Sequence, residues 1–475
     1  MGKKGEVHGL TALLRSGQSL TGWQQAALVG RMSLPAVLAQ LTTILMEYID
    51  AAMAGSLGAQ ASASIGLVIS TTWLFGGLSA AASVGFSVQA AQQLGAGDND
   101  KARHTLRQAI LVTTGFSLGL TVFGAMISSS LPVWLGGEAG LQADASRYFL
   151  IYICSLPAFQ LENLAGAMLQ STGNMRTPGL LNALMCLLDV FWNFLLIFPS
   201  RTIDVLGVVI WLPGAGMGVA GAALGTALAE VIAGLLMLWA VCRYSSVLHI
   251  SLKDSWRITQ ECLGRAVHLA LPVEVEHILM CGALVAATKI VAPLGAVAIA
   301  ANSFAVTAES LCYMPGYGIA AAAAPLIGQS IGAGRLELIR RFARITVGLG
   351  ILVMSGMAVL MFFMAHWVFE LLTPDLAVRA LGVQVLRIEL FAEPLFAAAI
   401  VAAGVLRGAG DTLVPGVMNM ASIWLVRIPL SLLLVQWWGL AGVWLAMCIE
   451  LCCRGMLMLV RLYHERWLKH VEITH

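Results

Sequence analysis

The chain has 475 residues, of which 59% are hydrophobic and 11% are charged, and its net charge is +2. Because soluble domains carry about 25% charged residues, this composition excludes an ordinary soluble protein and predicts a polytopic protein in a lipid bilayer. The basic residues lie in short loops between apolar runs, so the charge does not indicate a nucleic-acid partner.

Twelve segments are apolar and long enough to cross a bilayer, which takes about 20 residues per helix. Charged residues, glycines and prolines mark their limits. The predicted spans cover residues 28–53, 61–91, 106–132, 145–170, 178–199, 214–241, 265–291, 297–329, 342–370, 379–406, 414–436 and 440–462. We therefore expect an all-α integral membrane protein with twelve transmembrane helices.

Lysines and arginines are unequally distributed between the two sides of these spans. Nineteen lie on the side of the termini, whereas Arg147, Arg201 and Arg379 lie on the other. Because short cytoplasmic loops are rich in Lys and Arg, we expect a multi-pass membrane protein with both termini in the cytoplasm. The first 26 residues lack the apolar core of a cleaved signal peptide, so we expect the first span to act as the anchor.

The two halves of the sequence repeat each other. Residues of the first half recur 237 positions later, as in the pairs Pro35 and Pro272, Gly58 and Gly295, Gln92 and Gln329, Gly173 and Gly410, and Asn182 and Asn419. The offset then falls to 221, because the first half has sixteen extra residues near the loop 198–214. Six spans per repeat predict two lobes related by a parallel repeat: residues 1–244, a cytoplasmic linker 245–261, and residues 262–475.

Two aspartates within the spans belong to the first half alone. Asp50 lies in span 1, with Glu47 one turn away, and Asp189 lies in span 5. The matching positions of the second half are Ala287 and Val426. An acid inside a membrane is expensive unless it faces water or a partner, so these aspartates are candidates for an ion site.

Amide and hydroxyl side chains are predicted to lie near Asp189. Asn182 and Asn193 fall on the same face of span 5, while Thr226 and Glu230 lie in span 6. Oxygen ligands of this kind suit a proton or a hard cation such as sodium. The alternative is a hydrogen-bond network that only fixes helix packing. Glu47 and Glu230 are secondary candidates.

The acids of the second half allow two interpretations. They are Glu274, Glu276, Glu309, Glu389, Glu393 and Glu450. These side chains either line a cation-attracting cavity or pair with Lys289, Arg387 and Arg427. Glu276, just after Pro272, is kept as a further secondary candidate. The sequence shows neither a catalytic set nor a metal-spaced His or Cys cluster, so no enzyme activity is expected.

With these motifs the chain resembles the multidrug and toxin compound extrusion (MATE) family over nearly its full length. The resemblance is carried by Pro35 and Asp50, the turn 92–98, the segment 218–226 and the segment 406–412. It implies two six-helix lobes around a V-shaped cavity and cation-driven export of organic compounds. It also implies coupling in the first lobe to protons or sodium, with no other cofactor.

The resemblance further implies roles for single residues. Pro35 would be the bend of span 1, Asp50 its acid, and Thr226 the hydroxyl of span 6. DinF-like members usually have the order Asn, then Asp, in span 5, which is reversed here in Asp189 and Asn193. Met280 replaces an acid that sodium-coupled NorM-like members carry, which favours the DinF-like branch.

The sequence therefore predicts a secondary active transporter, a monomer, that exports organic small molecules, including cationic ones, by antiport with H⁺ or Na⁺. A flippase for a lipid-linked or polysaccharide precursor is the alternative within the same superfamily. An integral-membrane enzyme or receptor is a weaker alternative, since it would need a catalytic constellation or a soluble domain.

Overall fold

The computed structural model describes residues 20–205, 208–245, 247–250, 255–464 and 467–468. Several predictions fall outside these ranges: the basic residues Lys3, Lys4, Arg15, Lys253, Arg466 and Lys469, and part of the predicted linker 245–261. These basic residues therefore contribute only to the predicted orientation of the chain in the membrane.

Six long helices form the first half. They are α1 (Gly22–Ser56), α2 (Ala59–Ala96), α3 (Asn99–Ile127), α4 (Ala139–Ser171), α5 (Arg176–Ile197) and α6 (Val219–Trp239). Between α5 and α6, the strands β1 (Pro199–Val205) and β2 (Val208–Ala215) form an antiparallel hairpin. This hairpin accounts for the extra residues of the first half.

The second half repeats the pattern with two interruptions. Its helices are α7 (Gln260–Val291), α8 (Ala296–Gly332), α9 (Leu336–Leu372), α10 (Leu376–Glu389), α11 (Glu393–Ala409), α12 (Leu413–Ala421) and α13 (Ile428–Tyr463). A π-helical stretch, Ser422–Arg427, joins α12 to α13. The axes of α10 and α11 meet at 59°.

Each of the twelve predicted spans lies largely on helix. By length and composition, nine helical segments of the described chain can cross a membrane, and the bent pair α10–α11 makes a tenth. The segment Leu413–Tyr463 holds two predicted spans, divided at Gly439, and α4 holds the remaining one despite its polar Gln160 and Glu162.

Two predicted boundaries differ from the structure by about five residues, and one predicted span is interrupted. Span 6 begins at Val219 rather than at 214, because residues up to Ala215 complete the hairpin. The third helix ends at Ile127 rather than at 132. The tenth span is broken after Glu389, where Pro394 follows closely and removes a backbone donor.

The backbone shows the same repeat as the sequence. Gly58 and Gly295 have φ values of 105° and 93°, and Gly218 and Gly439 have values of 57° and 55°. Only glycine adopts such conformations without strain, so equivalent turns in the two halves need it at equivalent positions. The described chain thus forms two repeated lobes, α1–α6 (first lobe) and α7–α13 (second lobe).

The lobes meet through small residues. A Cβ at Gly318 of α8 would lie 2.6 Å from the Val37 Cα of α1, and one at Gly95 would lie 2.1 Å from the Gln329 oxygen. The α2 and α7 helices also touch, where the His277 ring lies 3.0 Å from the Trp73 carbonyl oxygen. Glycines therefore let the two lobes approach at backbone distance.

Candidate functional site

One amide joins the two predicted aspartates. Asn193 Nδ2 donates to Asp50 Oδ1 at 2.9 Å and to Asp189 Oδ2 at 3.0 Å. Asp189 is completely buried and Asn193 almost so, while Asp50 is half-buried. The amide thereby ties α1 to α5, although Asp50 and Asn193 are 143 residues apart. We call these three residues the aspartate cluster.

The packing of α6 on α5 positions Asn193. A Cβ at Gly225 would lie 2.1 Å from Asn193 Oδ1 and 2.9 Å from its backbone nitrogen. One turn earlier, a Cβ at Gly221 would lie 2.5 Å from the Leu196 oxygen. Both glycines lie in the segment 218–226 that carries the family resemblance, but no role was predicted for them. Their four-residue spacing, which is typical of close helix contacts, was the available signal.

Two oxygens of the cluster have no partner. Within the described residues, neither Asp189 Oδ1 nor Asn193 Oδ1 accepts a hydrogen bond, and both are buried. The Thr226 hydroxyl lies near the Asp189 carboxylate and also donates to the Ala222 carbonyl at 3.3 Å. Two carboxylates that share one amide repel each other when both are ionised. A cation between them removes that repulsion.

The donors present fit a proton or a sodium ion taken up as cargo. In the part of the chain that the structure describes, no group of three or more His, Cys, Asp or Glu residues could hold a metal ion. The cluster instead combines two carboxylates with an amide oxygen and the Thr226 hydroxyl. Oxygen donors of this kind suit a small monovalent cation or a proton.

Further buried acids continue from the cluster along α6 and α4. Ser155 donates to Glu230 Oε2 at 2.8 Å, and Glu230 interacts electrostatically with both Asp189 and Glu162. Tyr148 of α4, which was not among the predicted site residues, lies within electrostatic range of Asp50, Asp189 and Glu230. Nothing in its sequence context distinguished it from a packing aromatic.

The structure places three other predicted residues apart from the cluster. Asn182 lies seven residues from Asp189 on α5, about 10 Å along the axis, which is too far to share an ion. Glu47 is exposed one turn from Asp50. Pro35 lies within the uninterrupted α1, where a Cβ at Gly179 of α5 would come within 3.1 Å of its carbonyl oxygen.

Glu276 belongs to a separate site in the second lobe. Arg407 Nη2 donates to Glu276 Oε2 at 3.1 Å, and Asn419 Nδ2 donates to Oε1 at 2.6 Å. The expectation that acids of this half pair with Lys289, Arg387 or Arg427 was therefore wrong for Glu276. Its partners come from the later repeat elements α11 and α12, which the sequence alone could not place beside α7.

A central cavity of about 310 Å³ lies between the lobes. Its polar lining includes Gln40 of α1, Ser87 of α2, Gln170 of α4, Tyr317 of α8 and Arg407 of α11. Small and apolar residues form the remaining wall, as in many ligand sites. The position of Gln40, between Pro35 and Asp50, links the cavity to the helix that carries the aspartate cluster.

Comparison with known proteins identifies relatives of the whole two-lobe chain. The family model MatE matches residues 35–195 and 272–433, one match in each lobe. A probable multidrug resistance protein NorM of Thermotoga maritima is 25% identical over 448 residues, which cover 94% of this chain and 93% of that protein. A protein of the same description from Xanthomonas axonopodis pv. citri is 26% identical over 443 residues, 91% of this chain and 92% of that protein.

Solved structures share the fold at low identity. A MATE protein in the straight conformation superposes with a TM-score of 0.87 at 18% identity, covering 98% of this chain and 99% of that one. The Vibrio cholerae MATE transporter VcmN in the bent form gives 0.84 at 17% identity, covering 95% and 99%.

Proposed function

The chain belongs to the MatE family of membrane transporters, and from this premise we propose that it exports organic compounds, including cationic ones, from the cytoplasm by antiport with H⁺ or Na⁺. The observation that carries the proposal is the pair of hydrogen bonds from Asn193 to Asp50 and Asp189. They hold two acids of different helices in one buried site with unpartnered oxygens.

The cluster couples ion binding to the shape of α1. A cation between Asp50 and Asp189 strengthens the contact of α1 with α5, whereas its release leaves two repelling carboxylates. Pro35 has no N–H to close its helical turn, so α1 can bend there. Bending between Pro35 and Asp50 displaces Gln40, which lines the central cavity.

The available driving force suits such export. Each monovalent ion that crosses a 100 mV potential contributes about 2.3 kcal/mol. Since 1.4 kcal/mol corresponds to about a tenfold ratio, one or two ions support roughly tens- to thousands-fold accumulation of substrate.

The proposal includes the placement of the chain in the membrane. We place it in the bacterial plasma membrane as a monomer with both termini in the cytoplasm, and with lobe boundaries at residues 244 and 262. The excess of Lys and Arg on the side of the termini supports this orientation. Assignment to the DinF-like branch rests on Met280, whereas the reversed order of Asp189 and Asn193 departs from that branch.

The flippase alternative is less well supported by the cavity. A lipid-linked phosphate would favour basic residues facing the substrate. Arg407 lines the cavity, but its guanidinium is ion-paired with Glu276, and that pairing reduces its attraction for an anion.

Everted membrane vesicles test the proposal. Export of ethidium, driven separately by a pH gradient and by a sodium gradient, should be lost in Asp50→Asn and Asp189→Asn. Glu337→Gln, which alters an exposed pair with Arg341, is the matched control and should transport normally. Gradient-driven transport that persists in both aspartate variants would refute the coupling role of the cluster.

A further inference from the structure

The second lobe encloses its own group of buried acids. Glu309 of α8, Glu389 of α10, Glu393 of α11 and Glu450 of α13 are each at most 6% exposed. We call them the glutamate cluster. None of them belongs to the aspartate cluster of the first lobe or to the Glu276 site.

Two arginines face these four acids. Arg454 Nε lies 3.1 Å from Glu450 Oε1, which also accepts a hydrogen bond from Ser422 at 2.6 Å. Arg427 interacts electrostatically with Glu450, Glu309 and Glu389. Glu450 is thus satisfied, and the two arginines are fewer than the four carboxyl groups.

The buried carboxyl groups of this cluster that lack a hydrogen-bond partner among the described residues are those of Glu389 and Glu393. Both are completely buried, and among the described residues none of their four carboxyl oxygens has a hydrogen-bond partner. Arg387, two residues before Glu389, does not pair with either carboxyl group. Its Nε donates to the Phe362 carbonyl of α9, and its guanidinium lies over the Phe362 ring. An ionised carboxylate without a partner is costly in such surroundings.

The titratable groups around the pair are one further carboxyl group, neutral thiol and phenol groups, and two arginines. From α8, Glu309, Cys312 and Tyr313 interact with one or both glutamates. From the π-helical stretch and α13, the facing groups are Arg427, Cys448, Cys452 and, through Glu309, Arg454. The surroundings therefore favour neutralisation by a cation.

Both glutamates stand at the break of the tenth span. Glu389 is the last residue of α10 and Glu393 the first of α11, whose axes meet at 59°. The partial negative charge of a helix C-terminus opposes a carboxylate at Glu389, whereas a helix N-terminus favours one at Glu393. Glu389 is thus the group that gains most from being neutral.

The repeat shows that packing does not require these acids. At the equivalent positions of the first lobe, Glu389 corresponds to Tyr152 and Glu393 to Leu156, in the unbroken helix α4. Glu309 corresponds to Thr72. The same helical framework therefore forms without the acids, and their presence in one lobe indicates a function of that lobe.

We propose that Glu389 and Glu393 form a proton-binding site of the second lobe, which holds at least one proton that exchanges with the aqueous phase. The proton arrives from water and returns to water, and no bond other than the carboxyl O–H forms or breaks. A protonated carboxyl also supplies a donor that the paired glutamate can accept.

One aromatic residue, Tyr313, connects the glutamate pair with the wall of the central cavity. Its ring contacts Phe396 and Tyr317 at centroid distances of 5.7 Å and 5.9 Å, and Tyr317 lines the cavity. Tyr313 also interacts electrostatically with Glu309 and Glu393. Tyr313 therefore lies between the cavity-lining Tyr317 and the glutamate pair.

Infrared difference spectroscopy of the full-length protein in lipid vesicles tests the site. A pH jump should remove a protonated-carboxyl C=O band from the wild type. Glu389→Gln or Glu393→Gln should lose this band, while the exposed control Glu337→Gln should keep it. Asp50→Asn/Asp189→Asn should also keep it, so that failure of the first-lobe proposal remains distinguishable from failure of this one.

Thermal unfolding of each variant as a function of pH checks folding and adds a second readout. The wild type should lose stability as rising pH ionises the pair, and Glu389→Gln/Glu393→Gln should reduce that dependence. The proposal is overturned if neither Gln variant changes the infrared bands. It is also overturned if the band persists at every pH, or if sodium at constant pH removes it.

Discussion

Replacing Gly225 with alanine should disable the aspartate cluster without touching a charged residue. The added Cβ would lie 2.1 Å from Asn193 Oδ1 and 2.9 Å from the Asn193 backbone nitrogen. A real Cβ does not approach that closely, so α5 and α6 must separate or the amide must rotate. Either movement breaks or lengthens the bonds to Asp50 and Asp189.

Gly225→Ala should lower both the stability of the protein and its affinity for the coupling cation. Overpacking of this kind costs about 1–3 kcal/mol, and the higher helix propensity of alanine returns about 1 kcal/mol at most. A hydrogen bond to a charged group contributes about 1.5–3 kcal/mol. Loss of one such bond should therefore change the apparent affinity for the coupling cation by roughly ten- to a hundredfold.

The assay pairs thermal unfolding with ion-driven export in everted vesicles. Gly119→Ala is the matched control, because a Cβ at Gly119, inside α3, meets no atom within 4 Å. That variant should be at least as stable as the wild type and fully active. If Gly225→Ala is as stable and as active as Gly119→Ala, the close approach of α6 does not position Asn193.

Three further predictions concern other contacts. Asn193→Ala should abolish ion-driven export in the vesicle assay. Asn182→Ala should leave export intact, because Asn182 lies about 10 Å from Asp189 along α5. Equal effects of the two changes would contradict the placement of Asn193 between the aspartates. A double-mutant cycle of Glu276→Gln and Arg407→Ala should show a coupling energy of about 1–3 kcal/mol in thermal unfolding. The reason is that each single change leaves the other, partly buried side chain without its ion-pair partner. Additive effects of the two changes would contradict the pair. The Asp98 carboxylate caps α3, and the Lys101 backbone N–H holds its pKa below the usual value. Because the pKa of Asp98 is lower in the folded than in the unfolded state, Asp98→Ala should destabilise the protein near neutral pH by about 0.5–2 kcal/mol. This difference in thermal unfolding should vanish as pH falls through the folded pKa. A difference that persists in acid would argue against the cap.

Part of the candidate site could be predicted from the sequence, because acidic residues are rare within membrane-spanning segments. Asp50 and Asp189 stood out since few residue types are so costly in an apolar span. Asn193 was selected by its one-turn spacing from Asp189, and this prediction needed only helix geometry. Gly225 and Tyr148 were missed, because their roles depend on which helix packs against them.

Partners distant in sequence were the other failure. Glu276 pairs with Arg407, 131 residues away, rather than with the basic residues that had been considered. Similarly, Glu389 and Glu393 were noted among several acids, but nothing in their sequence showed that both would be buried without partners. The sequence also did not show that Pro394 would break its helix while the equivalent Pro157 lies inside the continuous α4.

By itself, the sequence determined the membrane class, the helical spans and the two-lobe repeat, because each depends on local hydrophobicity or on direct comparison of the halves. Only the tertiary structure decided that one amide joins Asp50 to Asp189, that Gln40 reaches the central cavity, and that acids gather at the break of the tenth span. These features depend on which helix faces meet across long stretches of chain. Helix contacts of that kind are governed by small residues and backbone approach, which leave little signal in composition or periodicity.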